Sequence, residues 1–476
     1  MLKKLQALFA PKDLTVGNPM SGIAMFAVPL LIGNLAQQMY NTVDAIVVGQ
    51  YVGDAALGAV GLGGAVLNLI LVLFMGIPTG ATIVVSQYFG AKNRERLSHA
   101  VGTTITLTVI SGLFMSVVGM LLSRLLLKVL GTSDNMIDLA ASYLSIIMLG
   151  LVGNGLYNIL SGVLRGLGDS TSPLLYLLVA CLLNIVLDLL FVAVFGMTTD
   201  GVAWATIIAQ GVSAVLCVLK LMRMKDVLDL NRDTLRIDKP IMQRVIKLGV
   251  PAGLTQMIFA LSNILVQRLT TSLGDHVVTA TTAIMRVDGF AMMPNFTFGI
   301  AATTFTGQNI GARRWDRVKQ GAKDTLLLAV GTATVLVVGI LLFGKTLMQI
   351  FTSTPEIVEL GVGMMRLLAV GYIAFAVTQT WQGVMRGAGE TMIPMWISIV
   401  TTVIIRMPLA YLWAHLTKSP QWPNGDPVCL YGSLLTAWIA GCLLSTLVYF
   451  KGKWRKRTED ALQSDPEERD ESIQSA

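Results

Sequence analysis

Apolar runs follow one another along almost the whole chain, and their length limits what it can become. A window of about nineteen residues finds twelve of them, near 20–49, 55–80, 97–121, 136–160, 173–197, 201–223, 243–270, 277–305, 320–344, 357–383, 392–415 and 431–450. Each is long enough to cross a hydrocarbon core about 30 Å thick as an α-helix. The expected fold class is an all-α polytopic membrane protein with twelve spans. Composition agrees, with 54% hydrophobic and 13% charged residues, about half the charged share of ordinary soluble domains.

Basic residues near span ends favour the cytoplasmic side. With both termini inside, that side receives Lys3, Lys4 and Lys12, the basic run from Lys220 to Lys247, and Lys451 to Arg457. The outer loops then hold only Arg124, Lys128, Lys345 and Lys418 among more numerous acids. The formal charge of +7 is spread over separate inner loops. That pattern suits anionic lipid headgroups and argues against nucleic acid as a partner. The opening MLKKLQALF has no signal-peptide cleavage site and reads as a short interfacial helix. Cys181, Cys217, Cys429 and Cys442 show no CxxC or paired spacing, and three histidines are scattered, so neither disulfides nor a metal cluster is expected.

The second half of the chain repeats the first. GVLRGLGDSTSP from Gly162 returns as GVMRGAGETMIP from Gly383, with Gly162, Arg165, Gly168 and Pro173 recurring as Gly383, Arg386, Gly389 and Pro394, all shifted by 221. The same shift carries Gln87, Gly90 and Ala91 onto Gln308, Gly311 and Ala312, and Gly53 and Asp54 onto Gly274 and Asp275. Two units of six spans sit the same way up, an arrangement common in secondary transporters. The expected organisation is a cytoplasmic segment 1–19, an N-lobe 20–224, a linker 225–242, a C-lobe 243–450 and a disordered tail 451–476. Glycine-rich stretches do not make a nucleotide site. GAVGLGG at 58–64 lies inside an apolar span with no preceding strand, and RGLGDST lacks the Lys-Ser/Thr of a phosphate loop.

The repeat does not copy everything. Asp44 falls opposite Leu265, Asn184 opposite Ile405, and Asp188 opposite Leu409. A carboxylate deep in a span is costly unless paired, hydrated or protonated, which makes it a functional residue by default. Asn184 and Asp188 are four apart on one helix face, and Thr206 lies in the next span. Two carboxylates, an amide oxygen and a hydroxyl suit a hard monovalent cation, or a proton shared between the carboxylates. The plainer alternative is that each aspartate is bonded within its own helix bundle. Arg286 and Asp288 are too close in sequence to face one another and are expected to share a polar network or pair with other helices. Arg366 and Arg406 are expected to snorkel or to pair with carbonyls.

Together these residues resemble the multidrug and toxic compound extrusion (MATE) family of cation-coupled antiporters, in particular its prokaryotic branch with an acidic site in the N-lobe. The resemblance covers essentially the whole chain. It implies twelve spans in two pseudo-symmetric six-helix lobes, cytoplasmic termini, residence in the plasma membrane of a prokaryote, no cofactor, and Na+ or H+ as coupling ion. It also implies a cation site at Asp44, Asn184, Asp188 and Thr206, with a bend at Pro29 of the first span. Gln37, Tyr40, Asn154 and Asn158 look like polar lining of the same cavity, faced by Gln256, Met257 and Met292 from the second half. Gln256, Gln379 and Gln382 stand where other branches place an acid, which leaves Asp288 as the one acidic candidate there. The implied activity is export of amphipathic, cationic organic compounds by a monomer surrounded by membrane lipid. The competing readings are a lipid-linked oligosaccharide flippase of the same superfamily and an exporter of one endogenous metabolite. An enzyme would need a nucleophile and base, or a metal set, that the spans do not offer.

Overall fold

A computed structural model describes residues 11–51, 76–129, 134–420 and 422–463, with 40–51, 129, 134–136 and 461–463 described in backbone only. The interfacial-helix expectation at the N-terminus lies outside the described residues. Every described element is helical. The first span is α1, Pro19–Tyr51, and α2, Gly76–Gly90, is the described end of the second. The third is α3, Arg94–Val129. The fourth is not the single helix expected at 136–160. It divides into α4, Asp134–Leu149, and α5, Leu151–Gly166, bent by 51° at Gly150. A Cβ at Gly150 would come within 2.2 Å of Ile207 Cγ2, so the bend seats the bare backbone against the sixth span.

The fifth span is α6, Thr171–Asp188, continued by a π-helical segment Leu189–Val194, and the sixth is α7, Thr199–Arg223. The second half runs through α8, Lys239–Ser272, α9, Asp275–Gly311, α10, Trp315–Gln349, and α11, Pro355–Gly387. Its eleventh span is α12, Met392–Ile399, a π-helical segment Val400–Arg406, and α13, Met407–Leu416. The twelfth is α14, Val428–Lys451. Inside the stretch read as a disordered tail, Trp454–Gln463 forms α15, anchored by the buried Trp454. Among the described residues nine helices are long and apolar enough to span a membrane, and the bent pair α4–α5 makes a tenth. The long α9 is not among them, since its threonines, Arg286 and Asp288 dilute the apolar run.

The repeat seen in the sequence returns as repeated atomic contacts. In the first half the Thr82 hydroxyl bridges the α2–α5 crossing, 2.8 Å from the Pro78 carbonyl and 2.9 Å from that of Gly162. In the second half the Thr303 hydroxyl bridges α9 and α11 in the same way, 2.9 Å from the Gly299 carbonyl and 3.1 Å from that of Gly383. Glycine is required at both crossings, because a Cβ at Gly162 or Gly383 would lie 2.8 Å from Thr82 Oγ1 or 2.4 Å from the Gly299 carbonyl oxygen. Lys92 and Arg313, also 221 apart, share a left-handed backbone with φ of 57° and 55°. The turn after α5 is capped by Asp169, which accepts from the Thr171 and Ser172 amides at 3.1 and 2.9 Å and lies 3.7 Å from Lys220 Nζ. Burial pushes the Asp169 carboxyl above the ordinary aspartate range, opposed by its bonds to Ser172 and by Lys220.

Two compact units result. One comprises residues 1–16, 25–253 and 311–313, and the other 17–24, 254–310 and 314–476. The start of α8 thus packs with the first unit, and the start of α1 with the second. The first core is aliphatic, centred on residues such as Val84, Leu160, Val163 and Leu221. The second is richer in aromatics. Tyr372 and Phe375 pack on Trp438 with ring centroids 5.7 and 5.4 Å apart.

Candidate functional site

The end of α6 and the start of α7 bring three of the four expected cation-site residues together. Asn184 and Asp188 point the same way because they are one turn apart, and both are buried. With the amide in the orientation that satisfies both its ends, Asn184 Nδ2 donates to Asp188 Oδ2 at 2.9 Å. Its carbonyl oxygen accepts from the Thr206 backbone N–H at 3.2 Å. The Thr206 hydroxyl donates to the Val202 carbonyl at 2.9 Å, and its oxygen lies 3.5 Å from the end of the Asn184 amide. Asp188 is the last residue before the π-helical segment, a kind of helix irregularity that often marks functional sites. An amide, a carboxylate and a hydroxyl so arranged offer oxygen ligands of the type hard cations take. Asp44 and Tyr40 lie on α1, but their side chains lie outside the described residues.

Of the proposed cavity lining, Asn158 donates to Asn154 at both its backbone carbonyl, 2.9 Å, and its side-chain oxygen, 2.6 Å, so the two form one polar step on α5. Gln37 on α1 is half-buried, and Pro29 stands inside that helix with no amide to donate. In the second half Gln256 is exposed, while Met257 and Met292 are half-buried. Arg286 and Asp288 do not meet. Two residues apart on a helix, they project in nearly opposite directions, and Arg286 is exposed while Asp288 accepts the hydroxyl of the buried Tyr372 on α11. The Tyr372 carbonyl in turn accepts from Asn295 Nδ2 at 3.3 Å. Arg366 is exposed, in line with snorkelling. Arg406 departs from that expectation, since it is 9% exposed and bonds Ser262 and Asn263 side chains of α8 instead of reaching water.

Sequence reasoning missed Tyr372 and the Ser262–Asn263 pair. Both are ordinary residue types in apolar helices, and only the packing reveals their partners. It also missed a detectable signal, the proline inside α8. Pro251 lies 222 residues after Pro29, so a fixed shift of 221 sets it opposite Leu30.

A multi-pass helical protein of two repeated halves, with an oxygen-rich site buried in one of them, has the architecture of a secondary transporter. The MatE family model matches residues 29–190 and 251–412, one match per half and each beginning at one of those prolines. The chain belongs to this family and is a MATE efflux transporter of the plasma membrane, not an enzyme. It is 29% identical over 448 residues to the probable multidrug resistance protein YoeA of Bacillus subtilis, covering 91% of this chain and 94% of that one. It is 25% identical to the probable multidrug resistance protein NorM of Thermotoga maritima, over 90% of this chain and 92% of that one. Among solved structures it resembles the outward-facing conformation of a multidrug resistance MATE family transporter of the MOP superfamily. That match has a TM-score of 0.85 at 22% identity and covers 96% of this chain and 100% of that one.

Proposed function

We propose that this transporter exports amphipathic, cationic organic compounds in exchange for Na+ or H+, and that the coupling ion binds at Asp44, Asn184, Asp188 and Thr206. The reading is carried by the mutual bonding of Asn184, Asp188 and Thr206 across α6 and α7. The names of its relatives, multidrug resistance proteins over most of the chain, support the substrate class. A cation arriving between the carboxylates displaces the Asn184 amide hydrogens from Asp188 and recruits oxygens in their place. A proton neutralises the same carboxylate and weakens the same bond. Either event alters how α6 and α7 are held together. An ion drives transport only if it binds the two access states with different affinity, and Pro29 in α1 and the π-helical segment after Asp188 are the weak points through which that difference is expressed. Gln37, Tyr40, Asn154 and Asn158 of the first half and Gln256, Met257 and Met292 of the second are the residues assigned to substrate, with thioethers repacking around ligands of different shape. The transporter works as a monomer in lipid, with no cofactor.

The test is ethidium efflux from reconstituted vesicles with Na+ and pH gradients imposed separately, for the parent and Asp44→Asn. Efflux driven by either gradient and lost in the variant is the expected result. Gradient-driven efflux that survives in folded Asp44→Asn overturns the coupling site, and no gradient-driven efflux from the folded parent overturns the multidrug reading.

A further inference from the structure

The second half holds a buried charge that the efflux reading does not use. Arg406 ends the π-helical segment of the eleventh span and is 9% exposed. Its Nη1 lies 3.3 Å from Ser262 Oγ and 3.3 Å from Asn263 Oδ1, both neutral groups of α8. Its Nε is buried with no hydrogen-bond partner, and no carboxylate among the described residues lies within ion-pair distance. Asp288, a half-buried acid of the same half that lies within electrostatic reach of Tyr431, is engaged by Tyr372. The buried hydroxyls of Tyr431 and Thr281 likewise make no hydrogen bond of normal geometry, and Tyr431 lies within electrostatic reach of the guanidinium.

The position of this charge is informative. At the shift of 221 that relates the loops, Arg406 falls opposite Ile185, one residue beyond Asn184, so the two halves place unlike groups at nearly the same point of corresponding spans. Where the first half gathers oxygens to receive a cation, the second half carries a cation covalently. A guanidinium in a membrane interior is costly unless an anion meets it. Its Nη1 edge is taken by Ser262 and Asn263. Its Nε–Nη2 edge, the fork that docks a carboxylate with two parallel bonds, makes none.

We infer that Arg406, framed by Ser262, Asn263 and Tyr431, is a binding site for a small monovalent anion in the second half of the transporter. The inference is independent of which ion drives export. The same chemistry serves a halide from solution or the carboxylate of an organic molecule, and the test separates them.

Thermal unfolding of the full-length protein in nanodiscs is measured in sodium chloride, bromide or acetate, titrated against sodium isethionate at constant ionic strength. A saturable rise in melting temperature is expected for the parent and a flat response for Arg406→Gln. A response to chloride and bromide identifies a halide site, and a response to acetate alone identifies a carboxylate site. Arg406→Lys keeps the charge but loses the fork, so its apparent affinity falls, more for acetate than for halide. Crystals grown in bromide provide a readout on the parent alone, with anomalous scattering expected at the guanidinium if the halide arm responds. The inference is overturned if the parent shows no saturable anion dependence, or if Arg406→Gln and Arg406→Lys respond like the parent. It is also overturned if Asp288→Asn restores the stability that Arg406→Gln loses, because the two fixed charges then neutralise one another. If Arg406→Gln does not fold, the parent titration and the Arg406→Lys affinities decide.

Discussion

Alanine at Gly80 would put its Cβ 2.3 Å from the Val245 carbonyl oxygen and 2.9 Å from the Gly249 amide nitrogen. Both are backbone atoms of α8, so no side chain can swing aside, and restoring ordinary contact requires α2 and α8 to part locally by about 1 Å, at a cost of about 1–3 kcal/mol. The same crossing brings Gly76 within 2.3 Å of the Gly249 carbonyl oxygen, counted from an added Cβ. It is also held by Arg244, which donates to Gln87 Oε1 at 2.7 Å and to the Tyr88 hydroxyl at 3.2 Å. α8 begins the second repeat, yet its first residues pack in the first unit, so this crossing ties the two sequence halves together. Spin labels at Ala91→Cys and Gln243→Cys, with the native cysteines replaced, report the separation of the two helices as a distance distribution. Gly80→Ala should shift that distribution toward longer distances. Gly331→Ala in α10, where an added Cβ meets nothing within 4 Å, should leave it unchanged and add about 0.5–1 kcal/mol of stability. A Gly80→Ala variant with the parent's distances and melting temperature would mean that the α2–α8 crossing accommodates a methyl group without parting.

Three further outcomes follow from particular contacts. Asp188→Asn keeps an oxygen that can accept from the Asn184 amide but removes the charge a coupling ion would meet, so gradient-driven efflux should be lost while the protein still folds; Thr206→Val, which removes only the hydroxyl, should weaken apparent ion affinity in the same assay. Tyr372→Phe strips the hydroxyl from the half-buried carboxylate of Asp288, and loss of such a charge-assisted bond should cost about 1–3 kcal/mol, read as a fall in melting temperature that Asp288→Asn partly reverses. Leu409→Asp places a carboxylate three residues after Arg406, within reach on the same helix face. It should abolish the anion dependence of stability without removing the arginine, and persistent anion dependence would mean that the anion meets a different group.

The fold was largely legible because a membrane span declares itself by length and apolarity alone, and because Arg165 and Arg386 with their glycines announce the duplication in plain sequence. What was not legible depends on packing. The bend at Gly150 follows from the closeness of Ile207, a contact no periodicity encodes. Likewise the bonding of Asp288 to Tyr372, 84 residues away, follows from how α9 meets α11. Asn184 and Asp188 could be paired from their spacing, since four residues make one helical turn. Thr206 required the additional fact that α6 and α7 are antiparallel neighbours joined by a short turn. Arg406 shows the opposite failure. Its long stem suggested an escape to the membrane surface, and the neutral side chains of α8 hold it inside instead.

The two halves share a frame and differ in charge, and the division between what is copied and what is not has a physical logic. The copied elements are the threonine bridges at Thr82 and Thr303, the glycines they span, and the left-handed turns at Lys92 and Arg313. All fix how helices cross near one end of each half, and both halves need the same crossing to move as equivalent bodies. The uncopied elements include Asn184 and Asp188 of the first half and Asp288 and Arg406 of the second. A buried carboxylate can be neutralised by a mobile cation or a proton, so on the reading proposed above its state follows the ion concentration on whichever side it faces. A buried arginine cannot shed its charge, so it is indifferent to that gradient and answers only to an anion. On the coupling site proposed above, substitutions that break transport without breaking the frame should cluster in the half that carries Asp188.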